Sequence, residues 1–225
     1  ISADLIASGL LTEVRTTRTG TSGHPSIPLA VVPDSHHFLG IKVADHCLTA
    51  TVINLKAEVL TYRELPLSGH SPRDIVEGIA FLTDQAEESL HIDAIGVGVG
   101  GVVTDRGIVR SAPFLMWEDV DLAELLRTRI GIPVFVANDL TAYTQAQHWF
   151  DLGARHKNFA VLTLGIGTGY GCVANGKKLE NQDSGIGLVG HWPLDPLGPL
   201  CTKGHRGCAE SMLTTPAITR SISEA

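Results

Sequence analysis

The chain has 225 residues and a formal net charge of −7, and 44% of its residues are hydrophobic while 5% are aromatic. This aliphatic composition favours layered α/β packing over an all-β sandwich. The acidic balance excludes a nucleic-acid-binding surface spread over the whole chain, so any DNA contact must come from a local patch or from residues outside this chain. No apolar run reaches the length of a membrane span and no signal segment opens the sequence, so we expect a cytoplasmic protein with no membrane partner.

Residues 1–36 are predicted to form a helix followed by a two-stranded hairpin. Apolar residues recur at helical spacing in residues 1–10, where Gly9 marks the end of a helix that is already in progress at the first residue. Two strand-like runs, residues 11–16 and 27–32, flank a turn-rich segment. This order is typical of the C-terminal part of a winged helix-turn-helix module, and the alternative is a linker with incidental β character.

Residues 37–157 are predicted to form one actin-like, ribonuclease-H-like lobe. The predicted elements are three strands rich in β-branched residues (38–45, 48–55 and 58–65), a helix over 71–90, a buried glycine-punctuated strand over 94–103, an amphipathic helix over 121–130, a short strand over 133–139 and a helix ending near 149. Ser71 is the candidate N-cap of the first long helix. Three strands followed by alternating helices and strands is the order of such a lobe, so the expected fold class is α/β.

Residues 158–225 are predicted to belong to a second lobe. Two strands joined by the glycine-rich residues 165–171 open it. Residues 211–225 are predicted to form a helix that stops with the chain, so we expect this lobe to be incomplete. The glycines would let the backbone approach a phosphate or a sugar, although tight turns use the same residues.

Asn138 and Asp139 stand where a buried strand gives way to a helix. Ligands of α/β folds bind at the carboxyl ends of strands, so polar residues there are candidate ligand contacts. A carboxylate at that position could accept a proton from a substrate hydroxyl or form a hydrogen bond with it. The alternative is that the pair only caps the following helix.

The cysteines fall into two groups. Cys47 and Cys172 stand alone in apolar runs and are predicted to be buried small hydrophobes. Cys201 and Cys208 lie in a glycine- and histidine-rich segment that follows His191, and zinc favours tetrahedral sets of Cys and His. These last three residues are the candidate metal ligands.

Several motifs of the chain resemble those of the ROK family, which comprises bacterial repressors, uncharacterised open reading frames and sugar kinases. The matching residues are Leu5–Leu11 and the wing-like Gly23-His24-Pro25, the strand 96–101, Asn138-Asp139, the G-x-G-T-G-x-G run 165–171, Gly190-His191, and Cys201, Gly204, Gly207, Cys208 and Glu210 of the family's zinc loop. The combination of a winged helix and a sugar-kinase lobe is the layout of the repressor branch, which includes regulators of the xylose and N-acetylglucosamine type.

The resemblance implies a transcriptional repressor with an actin-like sugar-kinase fold. It implies a sugar or sugar-derivative effector bound between the lobes, operator DNA as a partner, and a homodimer or homotetramer. The implied effector contacts are Gly101, Asn138, Asp139, His191 and Glu210, the implied DNA contacts are Arg15, Arg18 and His24, and the implied zinc ligands are His191, Cys201 and Cys208.

The chain departs from the family at the phosphate site and at the sugar site. Family kinases carry an Asp-x-Gly-Gly-Thr turn that cradles the ATP phosphates, but residues 43–49 contain no glycine. Phosphoryl transfer depends on positioning and charge stabilisation, which that phosphate cradle provides in the family kinases. Because residues 43–49 lack the cradle, we expect the chain not to be an enzyme. The alternative is an ATP-dependent sugar kinase with an eroded phosphate site. Leu188 replaces the family's sugar-contacting glutamate, so a DNA-bound scaffold that has lost ligand binding is a third hypothesis.

The zinc loop departs as well, because Lys203 stands where the family has its middle cysteine. A protonated amine is not a ligand, and structural zinc sites are nearly always closed by four protein ligands. His205 could replace the thiolate, but its offset differs from that of the family cysteine. The sequence therefore favours a metal-free loop in which Lys203 pairs with Asp195 or Glu210, and zinc binding is the alternative.

Overall fold

The computed structural model describes residues 2–14, 27–179 and 189–224 of the chain. The helices are α1 (Ser2–Ala7), α2 (Pro72–Glu87), α3 (Leu122–Ile130), α4 (Asp139–Phe150), α5 (Ala209–Leu213) and α6 (Thr215–Ser223), with short 3-10 turns at Pro33–Ser35, Pro113–Leu115 and Leu152–Arg155. The strands are β1 (Leu11–Glu13), β2 (Leu29–Val31), β3 (His37–Val43), β4 (Cys47–Asn54), β5 (Val59–Pro66), β6 (Ala94–Val99), β7 (Val102–Val103), β8 (Val109–Ala112), β9 (Trp117–Val120), β10 (Val134–Asn138), β11 (Phe159–Leu164), β12 (Thr168–Ala174) and β13 (Lys177–Lys178). No helix among these residues is both long and apolar enough to cross a membrane.

A five-stranded sheet in the order β10-β6-β3-β4-β5 forms the centre of residues 37–157, the predicted first lobe. Strands β3, β4 and β5 are antiparallel, while β6 and β10 run parallel to β3. The α/β fold class predicted from the order of strands and helices is therefore confirmed. One face of β4 is buried and the other is not, and Cys47 lies on the less buried face, so it is half-buried rather than buried as predicted. Cys172 of β12, for which burial was also predicted, is half-buried as well.

Helices α2 and α3 cover the sheet with apolar side chains. Ile75 and Ile79 of α2 and Leu122 of α3 are completely buried, and each contributes roughly 1.5–3 kcal/mol relative to an exposed position. Ser71 caps α2 as predicted: its Oγ accepts a hydrogen bond from the Asp74 N–H, and the Asp74 carboxylate accepts one from the Ser71 N–H, both 3.2 Å long.

The predicted strand over residues 94–103 is wrong, because the chain divides there into β6 of the central sheet and β7 of a separate sheet with β8 and β9. The break lies at Gly101, whose φ of 155° is rarely adopted by other residues. A Cβ at this buried position would overlap the backbone oxygen of Ser111. Gly101 therefore directs the chain out of the central sheet at the end of β6.

The described residues of 158–225, the predicted second lobe, contain the antiparallel sheet β11-β12-β13 and the helices α5 and α6, and the division into lobes stays a prediction. The single helix predicted over residues 211–225 is wrong. Thr214 ends α5 with an extended backbone and begins α6 as its N-cap, accepting a 3.4 Å hydrogen bond from Ala217 N–H. Pro216 in the first turn of α6 lacks the N–H that a continuous helix requires.

Helix α1 and the antiparallel pair β1–β2 occupy the N-terminal part of the described chain, with Leu11 paired to Val31. The predicted helix and hairpin are thus present in shorter form. Arg15, Arg18 and His24 lie outside the described residues. The assignment of this segment to a winged helix-turn-helix module stays a prediction.

Candidate functional site

The first candidate site lies where two parallel strands end. Val99 of β6 pairs with Asn138 of β10, so the turn after β6 and the start of α4 lie side by side. Asn138 is 6% exposed, and its Nδ2 donates a 3.0 Å hydrogen bond to the Gly101 oxygen. Its Oδ1 accepts a 2.9 Å hydrogen bond from Thr141 N–H. Asn138 is thus a helix cap that also holds the turn after β6.

Asp139 is the part of this pair that reaches solvent. Its Oδ1 accepts a 2.8 Å hydrogen bond from Leu140 N–H, and its Oδ2 lies 3.6 Å from Lys42 Nζ. The Asp139 side chain is one-third exposed, so a ligand can reach Oδ2. Lys42 was not predicted as a site residue. The signal for it in the sequence is a lysine near the carboxyl end of an otherwise apolar strand.

Phe114 is a second site residue that the sequence analysis missed. It is half-exposed in the 3-10 turn between β8 and β9. A methyl group built on Gly100 would lie 4.0 Å from Phe114 Cδ2 and 3.9 Å from Asp139 Oδ2, and one on Gly167 would lie 3.9 Å from Phe114 Cζ. The ring therefore stands between the end of β6 and the glycine-rich turn, and the ring and the Asp139 carboxylate both border the space beside Gly100. An aromatic face beside a carboxylate suits a ligand with both C–H and O–H groups.

The glycine-rich run 165–171 has two structural roles. Gly165 and Gly167 form the turn between β11 and β12, and the Gly165 oxygen accepts a 2.7 Å hydrogen bond from Thr215 N–H at the start of α6. Gly169 and Gly171 lie on β12 beneath α4, where Cβ atoms would overlap the side chains of Leu140 and Thr144. Half of the motif is thus explained by close packing of a helix on a strand.

The second candidate site is formed by His191, Cys201 and Cys208, whose ligand atoms lie within 4.8 Å of one another. Each sulfur is 3.8 Å from His191 Nδ1. Cys208 is 1% exposed. Burial raises the pKa of its thiol, but hydrogen bonds from His191 and from Ser211 N–H outweigh that effect and lower the pKa to about 7. Two thiols and an imidazole at these distances fit a zinc ion.

Glu210 and Lys203 complete the surroundings of this loop. The Glu210 carboxylate lies 3.2 Å from His191 Nδ1 and 3.4 Å from Thr202 Oγ1. The predicted pairing of Lys203 with Asp195 or Glu210 is wrong within the described chain. Lys203 is exposed with no ion pair there, while Asp195 Oδ1 accepts a 2.9 Å hydrogen bond from Leu197 N–H. The turn directs Lys203 to solvent instead of back onto the carboxylates.

The predicted effector contacts form two groups in the structure. Gly101, Asn138 and Asp139 lie together at the carboxyl ends of β6 and β10. His191 and Glu210 lie together in the cysteine-containing loop. Among residues 2–14, 27–179 and 189–224, no hydrogen bond or ion pair joins the two groups. Their common role as effector contacts stays a prediction.

Comparison with known proteins gives one family and two kinds of relative. The model of the ROK family matches residues 38–225. The "DNA-binding transcriptional dual regulator NagC" of Escherichia coli K12 is 27% identical over 228 residues, which cover 99% of this chain and 56% of that protein. A glucokinase of Thermotoga maritima is 36% identical over 154 residues, which cover 67% of this chain and 48% of that protein.

The similar solved structures likewise include both transcriptional regulators and glucokinases. A crystal structure of a ROK family transcriptional regulator, a homolog of the E. coli Mlc protein, matches with a TM-score of 0.84 and 25% identity over 99% of this chain and 58% of that one. A ROK family glucokinase from Streptomyces griseus, in complex with glucose and AMPPNP, matches with a TM-score of 0.72 and 26% identity over 84% of this chain and 60% of that one. The chain spans about half the length of the curated relatives it matches.

Proposed function

The chain belongs to the ROK family, and from that premise we propose that it is part of a transcriptional regulator that binds a sugar or sugar derivative without phosphorylating it. One observation carries this proposal. The family model begins at residue 38, but the two regulators match 99% of the chain and therefore also match residues before that point. The glucokinase structure covers 84%. Helix α1 and the β1–β2 hairpin lie in this preceding segment.

The turn between β3 and β4 supports the absence of phosphoryl transfer. Its closing hydrogen bond runs from Ala44 N–H to the Cys47 oxygen, and Asp45 and His46 are exposed in the turn. A phosphate cradle needs free backbone N–H groups without nearby negative charge, and Asp45 would repel a phosphate. A sugar kinase with an eroded phosphate site is the second candidate function, favoured by the glucokinase relatives.

The site around Asp139 supports the binding of a sugar. Asp139 Oδ2 can accept hydrogen bonds from hydroxyl groups, Phe114 offers an aromatic face for the C–H side of a sugar ring, and the glycines leave space between them. Operator DNA, the DNA contacts of Arg15, Arg18 and His24, and a dimeric or tetrameric state belong to the same proposal.

Calorimetric titration with glucose, N-acetylglucosamine and xylose, together with a coupled assay for ADP release in the presence of ATP, tests the proposal. We expect at least one sugar to bind without ADP release. Asp139→Asn should weaken that binding by roughly 10- to 100-fold, the usual contribution of a hydrogen bond to a charged group. Asp151→Asn at the other end of α4 should leave it unchanged. Sugar-dependent ADP release that is lost in Asp139→Asn would instead establish a kinase, and an absence of binding to any sugar would refute the sensor.

A further inference from the structure

The turn that contains Cys201 also brings a second imidazole to the cysteines. Cys201 N–H donates a 2.8 Å hydrogen bond to the His205 oxygen, and Gly204 N–H donates a 2.9 Å bond to the Cys201 oxygen. Gly204 has a φ of 83°, which reverses the chain inside the turn. His205 consequently lies beside Cys201, with its N–H 3.3 Å and its Nδ1 3.6 Å from the Cys201 sulfur.

His205 also lies against the other histidine of the cluster. The ring centroids of His191 and His205 are 4.4 Å apart, with an angle of 49° between the ring planes. A tetrahedral zinc site with Zn–S bonds of about 2.3 Å and Zn–N bonds of about 2.0–2.1 Å places its sulfur and nitrogen ligands roughly 3.5 Å apart. The Cys201–His205 pair at 3.6 Å and the Cys201–His191 pair at 3.8 Å fit this spacing. His205 stands outside the group of His191, Cys201 and Cys208, whose ligand atoms all lie within 4.8 Å of one another, so its ring would have to shift to complete a tetrahedron.

We propose that His205 is the fourth protein ligand of a zinc ion whose other ligands are His191, Cys201 and Cys208. Two thiolates and two imidazoles form a ligand set that binds zinc in closed structural sites. The sequence favours a metal-free loop because it supplies three ligands and a lysine, whereas the folded turn supplies the missing ligand two residues after that lysine. Bound zinc would fix the loop against α5, at whose start Cys208 lies.

Glu210 is the rival for the fourth position, because its carboxylate also approaches His191. Its other oxygen accepts from Thr202, whereas His205 contacts both Cys201 and His191. Two thiolates with two neutral imidazoles also leave less uncompensated negative charge than two thiolates with a carboxylate. These features favour His205 as the ligand and Glu210 as a neighbour of the ligands.

Zinc content and zinc affinity of the full chain, purified without chelators, test this assignment. We expect one zinc ion per chain. His205→Ala should lower the affinity by more than the roughly 100-fold that loss of an outer-shell partner costs. Adding Lys203→Cys to His205→Ala should restore the affinity, because it returns a fourth ligand to the same turn. Lys203→Ala, as a matched control, should leave zinc binding close to that of the unsubstituted chain. Glu210→Gln removes only a neighbour of His191 and should cost no more than the roughly 100-fold of an outer-shell partner.

Cobalt substitution provides a second readout, which reports the coordination of the metal directly. The unsubstituted chain with Co²⁺ should give the intense visible absorption of a tetrahedral site with thiolate ligands, and His205→Ala should change it, since water would take the open position. Absence of zinc and of a tetrahedral cobalt spectrum in the unsubstituted chain would refute the proposal. An unchanged affinity and spectrum in His205→Ala, or an equal loss in Glu210→Gln, would refute it as well.

Discussion

Asp93 shows how a single carboxylate ties the N-terminal segment to the first lobe. Its two oxygens accept a 2.7 Å hydrogen bond from His36 Nδ1 and a 2.9 Å bond from His37 N–H, at the point where β3 begins. Burial raises the pKa of Asp93, but the hydrogen bonds from His36 and His37 outweigh that effect, so the pKa lies below its usual value. The ionised form is therefore the one that stabilises the folded chain.

Asp93→Ala is expected to reduce the free energy of unfolding by about 1 kcal/mol at neutral pH. Because the pKa is lower in the folded chain than in the unfolded one, the contribution is present above the unfolded pKa of about 4 and is lost as the pH falls through the folded pKa. Urea unfolding at pH 7 and at pH 3 should give a difference between variant and parent that shrinks at the lower pH. Asp105→Ala, at an exposed turn, is the control. A difference that grows on acidification would contradict this assignment.

Residues of the candidate sites differ in how far the sequence could predict them. The Asn138 cap and the His191, Cys201 and Cys208 cluster were found because local patterns specify them. The sequence does not single out Lys42 or Phe114. Lys42 approaches Asp139 through the parallel pairing of β3, β6 and β10, and Phe114 lies near Gly100 and Gly167 only in the folded chain. The sequence does not assign His205 as a ligand, because spacing along a chain does not show which way a tight turn directs its side chains.

Close packing between α4 and β12 depends on two glycines. The Thr144 side chain is buried and donates a 2.8 Å hydrogen bond to the Leu140 oxygen, and its Oγ1 occupies the place that a side chain on Gly171 would need. The Thr144 side chain, whose Oγ1, Cβ and Cγ2 are the atoms nearest to that place, therefore packs directly on the strand backbone.

Gly171→Ala is expected to destabilise the chain by about 1–3 kcal/mol, the usual range for overpacking. Gly165→Ala in the same motif should change stability much less, because a Cβ there meets no atom of the described chain within 4 Å. Urea denaturation of both variants makes the comparison. Equal stability of the two would contradict the observed packing.

Strands and helices were predicted well wherever a hydrophobic period ran without interruption, as in β3, β4, α2 and α3. Two elements that the sequence predicts as continuous are divided in the structure, one at Gly101 and the other at Thr214. The first depends on a backbone angle that a tertiary contact with Ser111 selects, and the second on a cap that replaces a helical turn. Apolar periodicity predicts which residues are buried, but it does not predict where the backbone changes direction within a run of buried residues.

The charge of the whole chain limits how it can contact DNA. With a net charge of −7, the lobes repel phosphates, so the proposed contacts of Arg15 and Arg18 would have to act locally. If the full-length protein binds DNA as proposed, replacing both arginines with alanine is expected to reduce the slope of log affinity against log salt by about 2, since each phosphate contact contributes about 0.9. Arg106→Ala with Lys157→Ala, on exposed positions of the lobes, should leave the slope unchanged. An unchanged slope in the first variant would contradict a role of these arginines in DNA contact.

Helix α4 begins at Asp139 and rests on the glycines of β12 one turn later. Suppose that α4 has two positions and that a ligand at Asp139 favours one of them. The free energy by which the ligand favours that position equals the free energy by which that position strengthens binding of the ligand. Effector affinity and the arrangement of the two lobes would then be reciprocal measures of a single equilibrium. In the proposed regulator, a substitution in β12 that shifts α4 would change the effector concentration at which the protein responds, even though the substituted residue contacts neither effector nor DNA.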